Sequence, residues 1–347
     1  MQHAPLVAEH PYMSRADWAR SIPFGIHGDG GKYSHQDSLF VIAMNSLLGA
    51  GATSLQRFLI TTIRKAELVD DTLDSIFAIA AWSFNAMLTG LSPSMDWQGR
   101  KVAGKPRYLA DGNRVLMSVR GDWEFFSSVF RFPYWHGATN MCWQCAASSS
   151  NPELTFTDFS QTAKWRTTRR THASYLAELE RDGKVVPALF GAVGLRIEAV
   201  MVDILHTVDL GITAHIVANM FWELALAKTW PGIQTEAVSL LTAEMKAWLS
   251  RTRAKYRLQG ELSVSRIRTS NDWPKLKGKA AQLRCLSRFA LEFARKHDSG
   301  SQHDRRRSGV AQLLVRFCEI VDQEGTFLSD AAVREMQRTW EGFANVV

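Results

Sequence analysis

The chain is poor in cysteine and has no long apolar run, and both absences narrow what it can be. Four cysteines in 347 residues are too few for a disulfide-built scaffold, and they favour a reduced, intracellular compartment. No run of about 18 residues is apolar and uncharged, so we expect no transmembrane helix and no membrane partner. The first residues lack both a basic segment and an apolar core, so we expect no signal peptide.

The composition is that of a folded protein. Hydrophobic residues make up 46% of the chain and charged residues 22%, which is typical of globular rather than disordered sequences. The length suffices for one large domain or two, with a sizeable core.

Positive charge is concentrated in one stretch of the chain. The net charge is +7, and residues 251–307 alone hold 16 Lys and Arg against five Asp and Glu. Apolar residues are interleaved with the basic ones, which indicates a folded surface rather than a tail. Two interpretations stay open: a solvated helical face, or a surface that binds a nucleic-acid backbone.

Residue periodicity predicts an α/β fold. Apolar runs rich in β-compatible residues predict strands at residues 20–27, 38–48, 58–63 and 115–119. Helical spacing predicts helices at residues 70–88, 123–130, 195–227, 233–258, 276–297, 309–322 and 328–344. A polar Gly/Ser-rich stretch at 298–307 predicts a flexible linker. Together, the predicted elements are three adjoining strands, a crossover helix and a fourth, parallel strand. This order predicts an α/β half-sheet.

Two aspartates stand beside glycine at the ends of predicted strands. Asp29 lies in His-Gly-Asp-Gly-Gly, and Asp122 follows Arg120-Gly121. Acidic turn residues next to glycine are common, so the two motifs alone are weak evidence for a site. The prediction depends on the topology, in which neighbouring strands bring the two aspartates together. Two such carboxylates, joined by a third, can hold two Mg²⁺ or Mn²⁺ ions. One ion would activate the attacking water or 3′-hydroxyl, and the other would stabilise the leaving oxygen of a phosphodiester.

The third carboxylate is expected from an apolar helix that packs on the sheet. Glu223 is a lone acid among large apolar residues, where burial is unfavourable without a cation. A Glu at the edge of an amphipathic helix is the competing interpretation. Three rival residues are Glu198, Glu292 and Glu319.

Two further pairs have the spacing of metal ligands. Cys142-Trp-Gln-Cys145 lets two thiolates bind one zinc ion, and Asp203-Ile-Leu-His206 places a carboxylate and an imidazole on one helix face. Together they can form a four-ligand zinc site. Buried inert thiols or a redox dithiol are the alternatives for the cysteines, and a hydrogen-bonded core histidine is the alternative for His206.

Along the chain, the motifs follow one another as His-Gly-Asp-Gly-Gly, Gly-Asp, Cys-x-x-Cys, Asp-x-x-His and a helical Glu. In this order they resemble the RNase H-like DDE/D transposases, and most closely the cut-and-paste group that contains the CACTA elements. The resemblance spans roughly residues 20–230 and rests on short motifs. It implies an RNase H-like mixed sheet with helices on both faces, interrupted at about 131–195 by a largely helical, zinc-stapled insertion. It also implies Asp29, Asp122 and Glu223 as catalytic residues, with Cys142, Cys145, Asp203 and His206 at the zinc positions. A helical, basic region would follow at 231–347, and the usual N-terminal DNA-binding domain is expected to be missing.

The expected activity is metal-dependent cleavage and strand transfer of double-stranded DNA by a nuclear protein. The basic residues expected to hold the DNA backbone are Lys164, Arg166, Arg169, Arg170, Lys275, Lys277 and Lys279. The alternative is an inactive, domesticated or relic copy that acts as a zinc-stabilised DNA- or protein-binding module. A third interpretation is an unrelated helical protein in which the motifs are coincidental. The oligomeric state stays open, with a homodimer or higher oligomer as one option.

Overall fold

A five-stranded sheet is the centre of the first of two compact units. The computed structural model describes residues 19–49, 53–109, 111, 113–134, 136, 139–229, 232–269, 272–324 and 328–346. The first unit comprises residues up to 158 together with 162–202, and the second comprises 159–161 and the residues from 203 onward. The predicted boundaries of the catalytic core, the insertion and the C-terminal region stay predictions.

The sheet is mixed. Its strands are β1 (Ser21–Lys32), β2 (Ser38–Ser46), β3 (Phe58–Arg64), β4 (Arg114–Gly121) and β5 (Val200–Val202). They lie in the order β3-β2-β1-β4-β5, with β1, β2 and β3 antiparallel and β4 and β5 parallel to β1. The predicted α/β class and the first four strands are confirmed. The three-residue β5 was missed, because it lies in an apolar run that predicts helix.

The helices of the first unit include the expected crossover. They are α1 (Thr53–Gln56), α2 (Thr72–Thr89), α3 (Trp123–Phe130) and α4 (His172–Arg181). Short 3₁₀ turns lie at Lys65–Glu67, Pro152–Leu154, Lys164–Thr167, Ala188–Gly191 and Ile197–Ala199. Helix α2 buries Phe77, Ala81 and Phe84 at helical spacing and ends at Gly90, whose φ of 68° favours glycine.

The region predicted as a largely helical insertion is less helical than expected. In its described part, α4 is the one α-helix, and the other helical pieces are 3₁₀ turns of three or four residues. Asn151 caps the turn at Pro152–Leu154 by accepting from the Glu153 amide at 3.0 Å.

The second unit is helical, as predicted for its C-terminal part. A helical segment begins with π-helical Leu205–Thr213, continues as α5 (Ala214–Met220) and ends with π-helical Phe221–Thr229. It is followed by α6 (Gln234–Arg251), α7 (Val264–Ile267), α8 (Ala280–Lys296), α9 (Gln302–Gln323) and α10 (Asp330–Val346). The prediction of a flexible linker over 298–307 was wrong, because Ser301 caps α9 by accepting from the Asp304 amide at 3.1 Å.

A buried ion pair connects helix α8 to the π-helical segment Leu205–Thr213. Arg284 of α8 donates to both oxygens of Asp209, at 3.0 and 2.8 Å, and also to Asp322 at 2.9 Å. Asp209 is 3% exposed, and its burial raises the pKa of its carboxyl group even beside this guanidinium. In the described part of the chain, no helix is both long and apolar enough to cross a membrane.

Candidate functional site

Asp29 and Asp122 lie side by side where β4 ends next to β1. The parallel register pairs Gly28 with Gly121, so an aspartate is the next residue on each chain segment. A carboxylate oxygen of Asp29 and one of Asp122 lie within 4.8 Å of each other. The predicted proximity of the two carboxylates is therefore confirmed, while their role in metal binding stays a prediction.

The two glycines before the aspartates make room for one aromatic ring. A Cβ atom at Gly28 would lie 1.9 Å from Phe125 Cε2, and one at Gly121 would lie 2.4 Å from Phe125 Cδ1. Phe125 is 1% exposed and stacks on Phe40 at a centroid distance of 5.9 Å. The repeated Gly-Asp pattern thus has a packing cause, because both strand ends must approach this ring closely.

Asp122 also caps helix α3. Its Oδ1 atom accepts a hydrogen bond of 2.7 Å from the Phe125 amide, and its backbone is extended as an N-cap residue requires. This bond occupies one carboxylate oxygen and holds the side chain in one orientation. In the described part of the first unit, no group donates a hydrogen bond to the Asp29 carboxylate.

An ammonium group lies beside Gly30 of β1, and sequence reasoning missed it. Lys65 Nζ lies 2.7 Å from the place of a Cβ at Gly30 and 2.5 Å from Glu124 Oε1. Lys65 follows β3, which runs in the same direction as β1 because both pair antiparallel with β2. The strand order would have indicated this residue, since the ends of β1, β3 and β4 meet at one edge of the sheet.

The Cys-x-x-Cys motif is anchored in the core by the tryptophan between its cysteines. Trp143 is 2% exposed, stacks on Phe132 and contacts Trp123 of α3 at 4.7 Å between ring centroids. Cys142 Sγ accepts from the Gln144 amide at 3.3 Å. A hydrogen bond from the Cys145 thiol lowers the pKa of Cys142 to about 6, and the same bond raises the pKa of Cys145.

The predicted zinc ligands are divided between the two units. In the described part of the first unit, Cys142 and Cys145 belong to no group of three clustered ligand side chains. In the second unit, His206 Nδ1 lies 2.5 Å from Asp203 Oδ2. Burial raises the pKa of Asp203, but hydrogen bonds from His206 and the Leu205 amide lower it further, so the net shift is downward. The four-ligand site therefore stays a prediction.

Glu223 is in contact with cations of helix α9. Its Oε2 atom accepts from Arg307 Nη2 at 2.7 Å and lies 3.2 Å from His303 Nε2. Arg307 also pairs with the buried Asp304. Burial raises the pKa of Glu223, whereas the bonds from Arg307 and His303 lower it to below its ordinary value. The cation that its apolar surroundings require is thus supplied by the protein itself.

The rival carboxylates also have partners. Glu198 accepts from the His172 amide at 3.1 Å, Glu292 accepts from Trp248 Nε1 at 2.9 Å, and Glu319 lies 3.7 Å from Arg316. These contacts do not select a third catalytic acid.

The predicted DNA-binding residues fall into two groups. In the first unit, Lys164 pairs with Glu153 at 3.3 Å, Arg170 pairs with Glu178 at 3.2 Å, and the Arg166 guanidinium lies over the Trp165 ring. Arg169 is exposed. In the second unit, Lys275, Lys277 and Lys279 are all exposed.

No protein-family model matches the chain, and no curated protein matches it either.

Proposed function

We propose that this chain is a metal-dependent phosphoryl-transfer enzyme of the RNase H-like DDE/D type that nicks double-stranded DNA and joins the freed strand. One observation carries the proposal: carboxylate oxygens of Asp29 and Asp122 lie within 4.8 Å of each other on adjacent parallel strands. The strand order, three antiparallel strands followed by two parallel ones, supports the RNase H-like interpretation with helices on both faces.

The two aspartates suit Mg²⁺ or Mn²⁺. Mg²⁺ binds one or two protein carboxylates and completes its shell with water and substrate phosphate. Bound ions would activate the attacking water or 3′-hydroxyl and stabilise the leaving oxygen. Asp122 would contribute Oδ2, because Oδ1 accepts from the Phe125 amide. Glu223 stays the proposed third acid.

A zinc ion is proposed at Cys142 and Cys145, with Asp203 and His206 as the remaining ligands. The hydrogen bond between the two thiols supports this, because it places both sulfur atoms close enough together to bind one ion. We expect bound zinc in the wild-type protein and its loss in both C142S/C145S and His206→Ala. Zinc that stays bound in C142S/C145S would exclude this site.

The test of the enzyme is nicking of supercoiled plasmid in Mg²⁺ or Mn²⁺. Asp29→Ala and Asp122→Ser should both abolish nicking and leave DNA affinity nearly unchanged. Serine is chosen at position 122 because it keeps a helix cap while it removes the carboxylate. Asp70→Ser, at an exposed position of the first unit, is the matched control and should nick normally.

Two results would decide against the enzyme. Nicking that persists in Asp122→Ser would remove the aspartate from the mechanism. DNA binding without nicking by the wild-type protein in either metal would favour the inactive binding module instead.

A further inference from the structure

Residues 272–279 form an extended segment with one buried and one exposed face. The Lys275 amide donates to the Ile267 carbonyl at 2.9 Å, and the Lys277 amide donates to the Arg266 carbonyl at 2.9 Å. Pro274 and Leu276 are buried between these positions. From Trp273 to Lys279 exposed residues alternate with less exposed ones, as the side chains of an extended backbone do, and Asp272 at the start of the segment is exposed as well.

The exposed face carries one aromatic ring and three ammonium groups. We call it the Trp–Lys ridge, and its residues are Trp273, Lys275, Lys277 and Lys279. Trp273 is 82% exposed, whereas tryptophan side chains are mostly buried on average. At a rise of about 3.3 Å per residue, alternate residues place their charges about 6.5–7 Å apart along the ridge.

Five other cations of residues 251–307 pair with carboxylates. They are Arg251 with Glu292, Arg284 with Asp209, Arg288 with Asp322, Lys296 with Glu244 and Arg307 with Glu223. In the described part of the second unit, no carboxylate pairs with any lysine of the Trp–Lys ridge. The three lysines of the Trp–Lys ridge are therefore available for a polyanion.

We infer that the Trp–Lys ridge binds single-stranded nucleic acid. The lysines would follow successive phosphates, and the Trp273 indole would stack on an unpaired base. A duplex offers phosphates, but its bases are already stacked, so it would leave the indole unused. An acidic peptide would likewise use the lysines without a flat partner for the ring.

This inference does not depend on the aspartate pair or on bound metal, so it can be tested separately from the proposed enzyme. The probes are dye-labelled oligo-dT and oligo-U of about 15 nucleotides, a length within the usual range of single-strand sites, and a duplex of equal length. Fluorescence anisotropy is measured with the full chain in buffer without added Mg²⁺ or Mn²⁺, so that the proposed cleavage does not proceed. The two single strands identify whether DNA or RNA is preferred.

Trp273→Ala should weaken single-strand binding about 5- to 100-fold, the range expected for the loss of one stacked base, and should change duplex binding less than about twofold. Trp273→Phe should retain part of the affinity. K275Q/K277Q/K279Q should reduce the slope of log affinity against log salt by about 2, since each phosphate contact on a single strand contributes about 0.7.

The charge-matched control is K246Q/R251Q/K296Q, which removes three exposed but paired cations of the same unit. It should leave the salt slope unchanged. Unaltered single-strand affinity in Trp273→Ala, an equal loss for duplex, or competition by polyglutamate as effective as by oligonucleotide would each overturn the inference.

Discussion

The Phe125 ring occupies the space in which a side chain at Gly28 would lie, with only 1.9 Å between Phe125 Cε2 and the position of a Cβ. Gly28→Ala must therefore displace a buried ring from beneath the aspartate pair. We expect it to lower the free energy of unfolding by at least about 1–3 kcal/mol. Denaturant unfolding measures this change.

The control for this substitution is Gly31→Ala on the same strand, where a Cβ would meet no atom within 4 Å. It should be nearly neutral. The double variant G28A/F125L should be more stable than the sum of its single changes predicts, because the smaller side chain relieves the overlap. Additive effects would show that the ring does not limit the site.

Substitutions of Asp122 should separate its structural role from its proposed catalytic role. Asp122→Ala removes the cap of α3 and should cost about 0.5–2 kcal/mol of stability, whereas Asp122→Ser should cost much less. Thermal unfolding of the two variants measures the difference. Equal stability of both would mean that the bond to the Phe125 amide contributes nothing measurable.

Cys142 should be the most reactive thiol after treatment with a chelator. Its pKa is lowered to about 6 by the Cys145 thiol, whereas burial raises the pKa of Cys285 and Cys318. Iodoacetamide at pH 7 should label Cys142 first, as read by peptide mass spectrometry. Labelling should decline as the pH falls below about 6, because the thiolate becomes protonated. Cys145→Ser should slow the labelling; preferential labelling of Cys285 would contradict the prediction.

Arg284 should be a major source of stability in the second unit. Arg284→Met leaves Asp209, which is 3% exposed, without its partner, and should cost about 3–5 kcal/mol. The double change R284M/D209L should recover much of this loss, since no buried charge remains. A loss in R284M below about 1 kcal/mol would show that water replaces the guanidinium.

The contact of Glu223 with Arg307 should make stability depend on pH. The pKa of Glu223 is lowered in the folded state, so its contribution is present above the ordinary value of 4.5 and is lost as pH falls through the lower folded value. Wild type should exceed Glu223→Gln in stability at pH 7, and the difference should shrink below pH 4.5. A difference that does not change with pH would exclude this ion pair as its cause.

The sequence was most informative where local pattern and packing agree. Alternation and turn residues predicted the strands that carry Asp29 and Asp122, and the position of α2 predicted that β4 is parallel to β1. The N-cap role of Asp122 was missed although its signal was present, since an aspartate directly precedes the apolar run of α3.

Other features depend on residues far apart in the chain. Glu223 and Arg307 are 84 positions apart, and Arg284 and Asp209 are 75 apart, so no local pattern relates them. The start of α9 was predicted as a linker although its local signal was present, since Ser301 caps the helix by accepting from the Asp304 amide.

The helix cap at Asp122 affects how much the residue at this position reveals about the activity of a descendant sequence. A descendant without the proposed activity would still need a capping residue at position 122, so aspartate, asparagine, serine or threonine there would preserve the fold. Asp29 has no such bond in the described part of the first unit, and its replacement would leave folding intact. The residue at position 29 is therefore the better indicator of whether such a descendant retains the proposed activity.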